Sequence, residues 1–85
     1  MKYNNCKFTL ESLIADIEVL KTYQKEENKE QRNSKYWFIC GEISVLMSLH
    51  IITFNQALSI NGNLYRTPNK AIEIVYDIIE AFNRG

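Results

Sequence analysis

The chain has 85 residues, 46% of them apolar, and its ten basic and ten acidic side chains cancel to zero net charge. That length sets one domain around one small core, and the charge balance excludes a global field that would draw in nucleic acid or an anionic membrane. Three glycines and one proline exclude collagen-like and low-complexity chains, and two distant cysteines, Cys6 and Cys40, exclude a disulfide-rich scaffold or a CxxC pair.

Residues 1–8 read as an N-terminal arm. A first helix is predicted over 9–27, with Thr9 as N-cap and Phe8 and Leu13 at the two positions of a hydrophobic staple. Leu10, Leu13, Ile14, Ile17 and Leu20 recur at helical spacing, so one face is apolar through about Tyr23. Glu11, Asp16 and Glu18 interrupt the same stretch, which therefore does not read as a secretory signal. Residues 24–35 (QKEENKEQRNSK) hold no apolar side chain. They read as a polar, mobile connection or a solvated helix extension, with mobility expected from Asn28 to Ser34 because nothing there can anchor to a core.

The second helix is predicted over 35–50, starting at Ser34 or Lys35, and it is apolar nearly all the way round. Tyr36, Ile39, Ile43, Leu46 and Met47 fill one broad face, while Phe38, Val45 and Leu49 fill another. Glu42 is the only formally charged residue in 36–54. A helix apolar all round must be covered on most sides, so this one is expected at the centre of the bundle, covered by the other helices, a second copy or a partner. Gly41, Ser44 and Ser48 lie close together on its wheel and form a strip where another helix can approach closely. The stretch is long enough to cross a bilayer, but Glu42, Ser44, Ser48 and His50 within it argue against a membrane span.

A short third helix is predicted over 53–60, opened by a Thr53–Gln56 capping box and stopped by Asn61-Gly62. The fourth, over 68–83, opens with Thr67 as N-cap and Pro68 at the first helical position. Glu73, Asp77, Glu80 and Arg84 share a narrow polar wedge, with Glu80 and Arg84 at the supporting i,i+4 spacing. Ala71, Ile72, Ile74, Val75, Ile78, Ile79 and Phe82 occupy the remaining arc. The fold class that follows is all-α: one domain over 1–85, a compact bundle of three long helices and one short helix, the second helix central.

Residues able to carry chemistry are few. His50 is the only histidine, and Cys40, ten residues away, points to another face of the helix, so no metal site is expected. Cys40 sits among apolar neighbours and reads as an inert thiol in a reducing, cytoplasmic protein. Glu42 would have a raised pKa if buried, but it reads as the solvated edge of its helix, without a matched carboxylate for acid–base work. With no glycine-rich phosphate loop either, neither a cofactor nor an enzymatic activity is expected.

Helix two, Ile51–Ile52 and helix three have the outline of a helix-turn-helix, which makes DNA binding the alternative reading. Yet no Lys or Arg falls between Lys35 and Arg66, and the recognition helix would offer only Asn55, Gln56 and Ser59. A phosphate grip would have to come from Lys25, Lys29, Arg32 and Lys35, which Glu26, Glu27 and Glu30 offset. Residues 49–60 (LHIITFNQALSI) resemble small helical proteins of bacterial phages and plasmids, over a dozen residues and without a family signature.

The function expected from these features is protein association. Two helices have apolar arcs wider than a small bundle needs, which implies a homodimer and a protein partner. Such a chain would act as an inhibitor, adaptor or accessory factor, for instance of a mobile element. Tyr and Arg are enriched at binding hot spots, so Tyr65 and Arg66 in the loop before helix four are candidate contacts, together with Ile74 and Ile78 on that helix.

Overall fold

The apolar positions of the first helix all turn inward: Leu10, Leu13, Ile14, Ile17 and Leu20 are buried together. They belong to a four-helix arrangement, seen in a computed structural model that describes the backbone of residues 2–84 and the side chains of residues 9–84. Its helices are α1 (Lys2–Lys25), α2 (Lys29–Ser48), α3 (Phe54–Asn63) and α4 (Pro68–Arg84). α1 packs on α2 and α4, and α3 packs on α4 and α2, so the helices close a ring around a single core. The all-α bundle of three long helices and one short one is the expected class.

The core is wholly apolar: among the described residues, no polar or charged side chain is buried. α4 contributes Ala71, Ile72, Val75, Ile78 and Ile79, and Leu64, just past α3, closes one end without solvent exposure. Burying each large aliphatic chain of this kind stabilises the fold by about 1.5–3 kcal/mol. The polar wedge of α4 faces solvent, and its Arg84–Glu80 pair is present at 3.9 Å, too exposed to contribute much.

Several boundaries differ from the sequence expectation, each for a local reason. The expected arm of residues 1–8 is helical from Lys2 on, so Thr9 lies inside α1 and is not its cap. No proline or glycine in 2–8 interrupts the helix, and a capping preference of about 1 kcal/mol does not stop one by itself. The staple expected between Phe8 and Leu13 lies outside the described residues, because the Phe8 side chain is not among them.

The 24–35 run is not a long connection. α1 ends in a Schellman motif: Glu27 N–H donates to the Gln24 carbonyl and Asn28 N–H to that of Tyr23, with Glu27 left-handed at φ 59°. Asn28 then caps α2, its Oδ1 accepting the Gln31 N–H at 3.2 Å. The segment is also anchored by its polar atoms. The Gln24 amide donates to the Leu64 and Tyr65 carbonyls, and Lys35 pairs with Asp16 at 3.4 Å. An absence of apolar side chains was no absence of tethers.

α2 ends in a second motif of the same kind. His50 is left-handed at φ 61°, and the His50 and Ile51 N–H groups reach the Met47 and Leu46 carbonyls. The Thr53–Gln56 capping box that opens α3 is formed in both directions, at 3.1 and 2.8 Å. Asn61-Gly62 does not stop α3, which runs on to Asn63. The buried Leu64 holds the chain on a helical course past the glycine, and Asn63 ties the turn by donating to the Ser59 carbonyl and accepting from the Thr67 hydroxyl. Pro68 opens α4 as expected and the Thr67 carbonyl accepts the Ala71 N–H, but the Thr67 hydroxyl expected to cap the helix donates to Asn63 Oδ1 instead.

The expectation of a central second helix, covered on most sides, holds for one face of α2 only. Ile39, Ile43 and Leu46 are buried, whereas Trp37, Phe38, Val45 and Leu49 lie in solvent. One chain of this length supplies too few neighbours to cover both faces.

Candidate functional site

The uncovered half of α2 is the most unusual surface of the molecule. Trp37 is 70% exposed, Phe38 56%, Val45 55% and Leu49 62%. Gly41, Ser44 and Ser48 lie exposed among them. From Tyr36 to Leu49 no exposed position of this arc carries a charged side chain, Glu42 at its edge being partly buried, although a solvent-facing helix surface normally does. A side-chain carbon built at Gly41 would meet nothing within 4 Å, so the strip of small residues is not used for packing within the chain. The strip was legible in sequence; its direction, away from the chain's own core, was not.

Beside Gly41 runs a groove of about 440 Å³ lined by Thr9, Trp37, Phe38, Gly41, Glu42 and Val45. At its edge sits a cluster of three charged side chains. Lys35 Nζ lies 3.4 Å from Asp16 Oδ1 and 4.9 Å from the centre of the Phe38 ring. Glu42 faces Asp16, and its Oε1 is buried with no hydrogen-bond partner. Burial first, then the hydrogen bond and charge of Asp16, push the Glu42 carboxyl up to about 8, while Lys35 pulls the other way. Glu42 is therefore not the solvated edge of its helix. The matched acid that the sequence seemed to lack is Asp16, on the neighbouring helix and 26 positions away.

The four residues singled out in the sequence fall on two separate surfaces. Tyr65 stacks on Tyr36 at 5.0 Å, its hydroxyl donates to Asn33 Oδ1 at 3.2 Å, and the Arg32 guanidinium lies 5.6 Å from its ring centre. It thereby clips the α3–α4 turn to the start of α2. Arg66 beside it is exposed. Ile74 and Ile78 line a second groove of about 430 Å³ together with Ile51, Gln56, Asp77 and Phe82. Ile78 is at the same time part of the core, and Ile74 is half-buried against it. Trp37, Phe38 and Val45 are not among the candidate contacts read from the sequence, and Gly41 enters there only as part of the close-approach strip. The signal for them was the second apolar face of α2, which the first face, already sufficient for the core, left without a neighbour.

The remaining groups have local roles. Cys40 is a free thiol that donates to Asn61 Oδ1 at 3.2 Å. Burial raises its pKa, and its hydrogen bond with Tyr36 offsets only part of that, which leaves it little thiolate character. His50 is exposed at the left-handed end of α2. Of the residues a recognition helix would present, Gln56 is committed to the capping box, and the outward face of α3 also carries Phe54 and Leu58. Among the described residues no group of three His, Cys, Asp or Glu side chains is placed to hold a metal ion, and no helix is long and apolar enough to cross a membrane. Comparisons with family models, with curated proteins and with solved structures return no match.

Proposed function

We propose that this chain is a non-enzymatic protein-interaction module that works by helix-mediated binding, to itself and to another protein, as an inhibitor, adaptor or accessory factor. The observation that supports this reading is the uncharged, exposed arc of α2 with Trp37 and Phe38 at its end. Contiguous exposed apolar surface of this kind marks interaction sites, and Trp is among the residues that dominate binding energy when they enter a pocket. The groove of Ile74 and Ile78 offers a second apolar surface on the α3–α4 side. A reducing cytoplasm suits the unpaired thiol of Cys40.

The test uses a display library of amphipathic helical peptides, panned on the wild-type chain and on the Trp37→Asp/Val45→Asp variant. Both positions are exposed, and circular dichroism checks that the variant keeps its fold. Peptides enriched on the wild type that lose at least about tenfold in affinity on the variant, a change of about 1.4 kcal/mol, are the expected outcome. A library that enriches nothing on the wild type, or enriches equally on both, refutes the reading.

A further inference from the structure

We infer that the exposed arc of α2 is the seat of a second copy of this chain, the two α2 helices crossing at Gly41 with Trp37 of each copy entering the groove beside the other copy's Gly41. This rests on the reading of the chain as a protein-binding module and names the first occupant of its surface.

Three observations lead to a second copy. The first is the spacing. Trp37, Gly41, Ser44 and Ser48 follow one another at intervals of 4, 3 and 4, the seam spacing of helices that pack along their length. Gly41 weakens its own helix, and a side-chain carbon built there would meet no other part of the chain within 4 Å, so packing within the chain does not require its small size and a contact from outside would.

The second is self-complementarity. A two-fold interface needs a projection and its receptor on the same patch. Trp37 is the most exposed large apolar side chain among the described residues, and it borders the groove, shared with Phe38, Gly41, Glu42 and Val45, that the other copy's Trp37 enters. The fully exposed positions of the arc carry no charge that would steer a foreign partner, its one acid, Glu42, being partly buried and turned to Asp16, and the chain's zero net charge sets up no repulsion between copies.

The third is area. At the exposures of Trp37 and Phe38, these two rings offer roughly 250–300 Å² per copy. The pair of copies thus removes roughly half of the ~1,000 Å² that a specific interface requires from aromatic surface alone. Val45, Leu49 and the small-residue strip supply the remainder.

The chain's single tryptophan reports on this contact directly. Light scattering on a sizing column, from low to high micromolar concentration, is expected to show the mass doubling. Over the same range Trp37 emission shifts to shorter wavelength and loses accessibility to iodide. Val45→Glu and Gly41→Gln, checked for unchanged helix content by circular dichroism, are each expected to weaken self-association at least tenfold. Phe54→Glu, on the exposed face of α3, is expected to leave it intact. A wild-type chain monomeric at every concentration overturns the inference, as does a dimer that survives both α2 substitutions or that dissociates only with Phe54→Glu. A monomer whose α2 arc still selects peptides overturns this inference alone; a monomer that selects none removes the functional reading with it.

Discussion

Replacing Glu42 by glutamine is expected to raise the stability of the chain at alkaline pH and to leave it unchanged in acid. The fold moves this carboxyl from its ordinary 4.5 up to about 8, by burial and by the hydrogen bond and charge of Asp16, against the pull of Lys35. Because the folded value lies above the unfolded one, the folded chain holds a proton that the unfolded chain has released throughout the interval between them. The stability this contributes is fully present below about pH 4.5 and is lost as pH rises towards 8. At about 1.4 kcal/mol per pH unit the interval would amount to about 4–5 kcal/mol, but Glu42 keeps partial access to solvent, and screening brings the effect to about 1–2 kcal/mol. Glutamine preserves the shape, can donate to Asp16 and cannot ionise. Urea unfolding followed by circular dichroism, at concentrations where the chain is monomeric and at about pH 5, 7 and 9, measures the difference. The wild-type midpoint should fall across that range relative to E42Q, and Asp16→Asn should shrink the gap. Parallel curves, or a wild type that gains on E42Q as pH rises, would refute the raised Glu42 carboxyl.

Three further outcomes follow from local geometry. Glu27→Gly and His50→Gly place glycine at the two left-handed positions; relief of the steric cost of a side chain there, less the added flexibility of glycine, should stabilise each variant by about 0.5–1 kcal/mol in urea unfolding. Tyr65→Ala removes the clip on Arg32, Asn33 and Tyr36. Hydrogen exchange should therefore accelerate at the start of α2 and not in α4, and uniform protection there would show that Tyr65 anchors nothing. Leu64→Ala empties a site with no solvent exposure and should cost about 2–5 kcal/mol in the same unfolding assay; a loss under about 1 kcal/mol would mean that the turn collapses onto the gap.

How much of this was legible in the sequence depends on whether the signal was local. The 3-4 spacing of α1, the Thr53–Gln56 box and the Thr67-Pro68 start of α4 each lie within one or two helical turns, and each is where the spacing put it. The start of α2 was equally local, since Asn28 with Gln31 three residues on is a cap signal, but a run without apolar residues obscured it. The end of α3 was misread because the buried Leu64 outweighs the Asn61-Gly62 stop. The acid pair was illegible: Asp16 and Glu42 meet only because α1 packs on α2 in one register. Hydrophobic patterning states how much of a helix must be covered and not by what, so the two faces of α2 looked alike until one of them met the core.

The acid pair and the apolar arc then bear on each other. A second copy seated on α2, as inferred above, would lie across the groove that Glu42 lines and withdraw water from a carboxyl that already has one oxygen without a partner. Lys35, the cation that favours an ionised Glu42, is shared with Asp16, so it compensates that charge only in part. Covering the groove therefore favours the protonated form further, and whatever favours that proton favours the pairing by the same free energy. Self-association should accordingly tighten as pH falls through about 8 and weaken above it, and E42Q should hold its pairing at alkaline pH where the wild type loses it. Wild type and E42Q dissociating in parallel with rising pH would show that the pairing surface does not reach this groove.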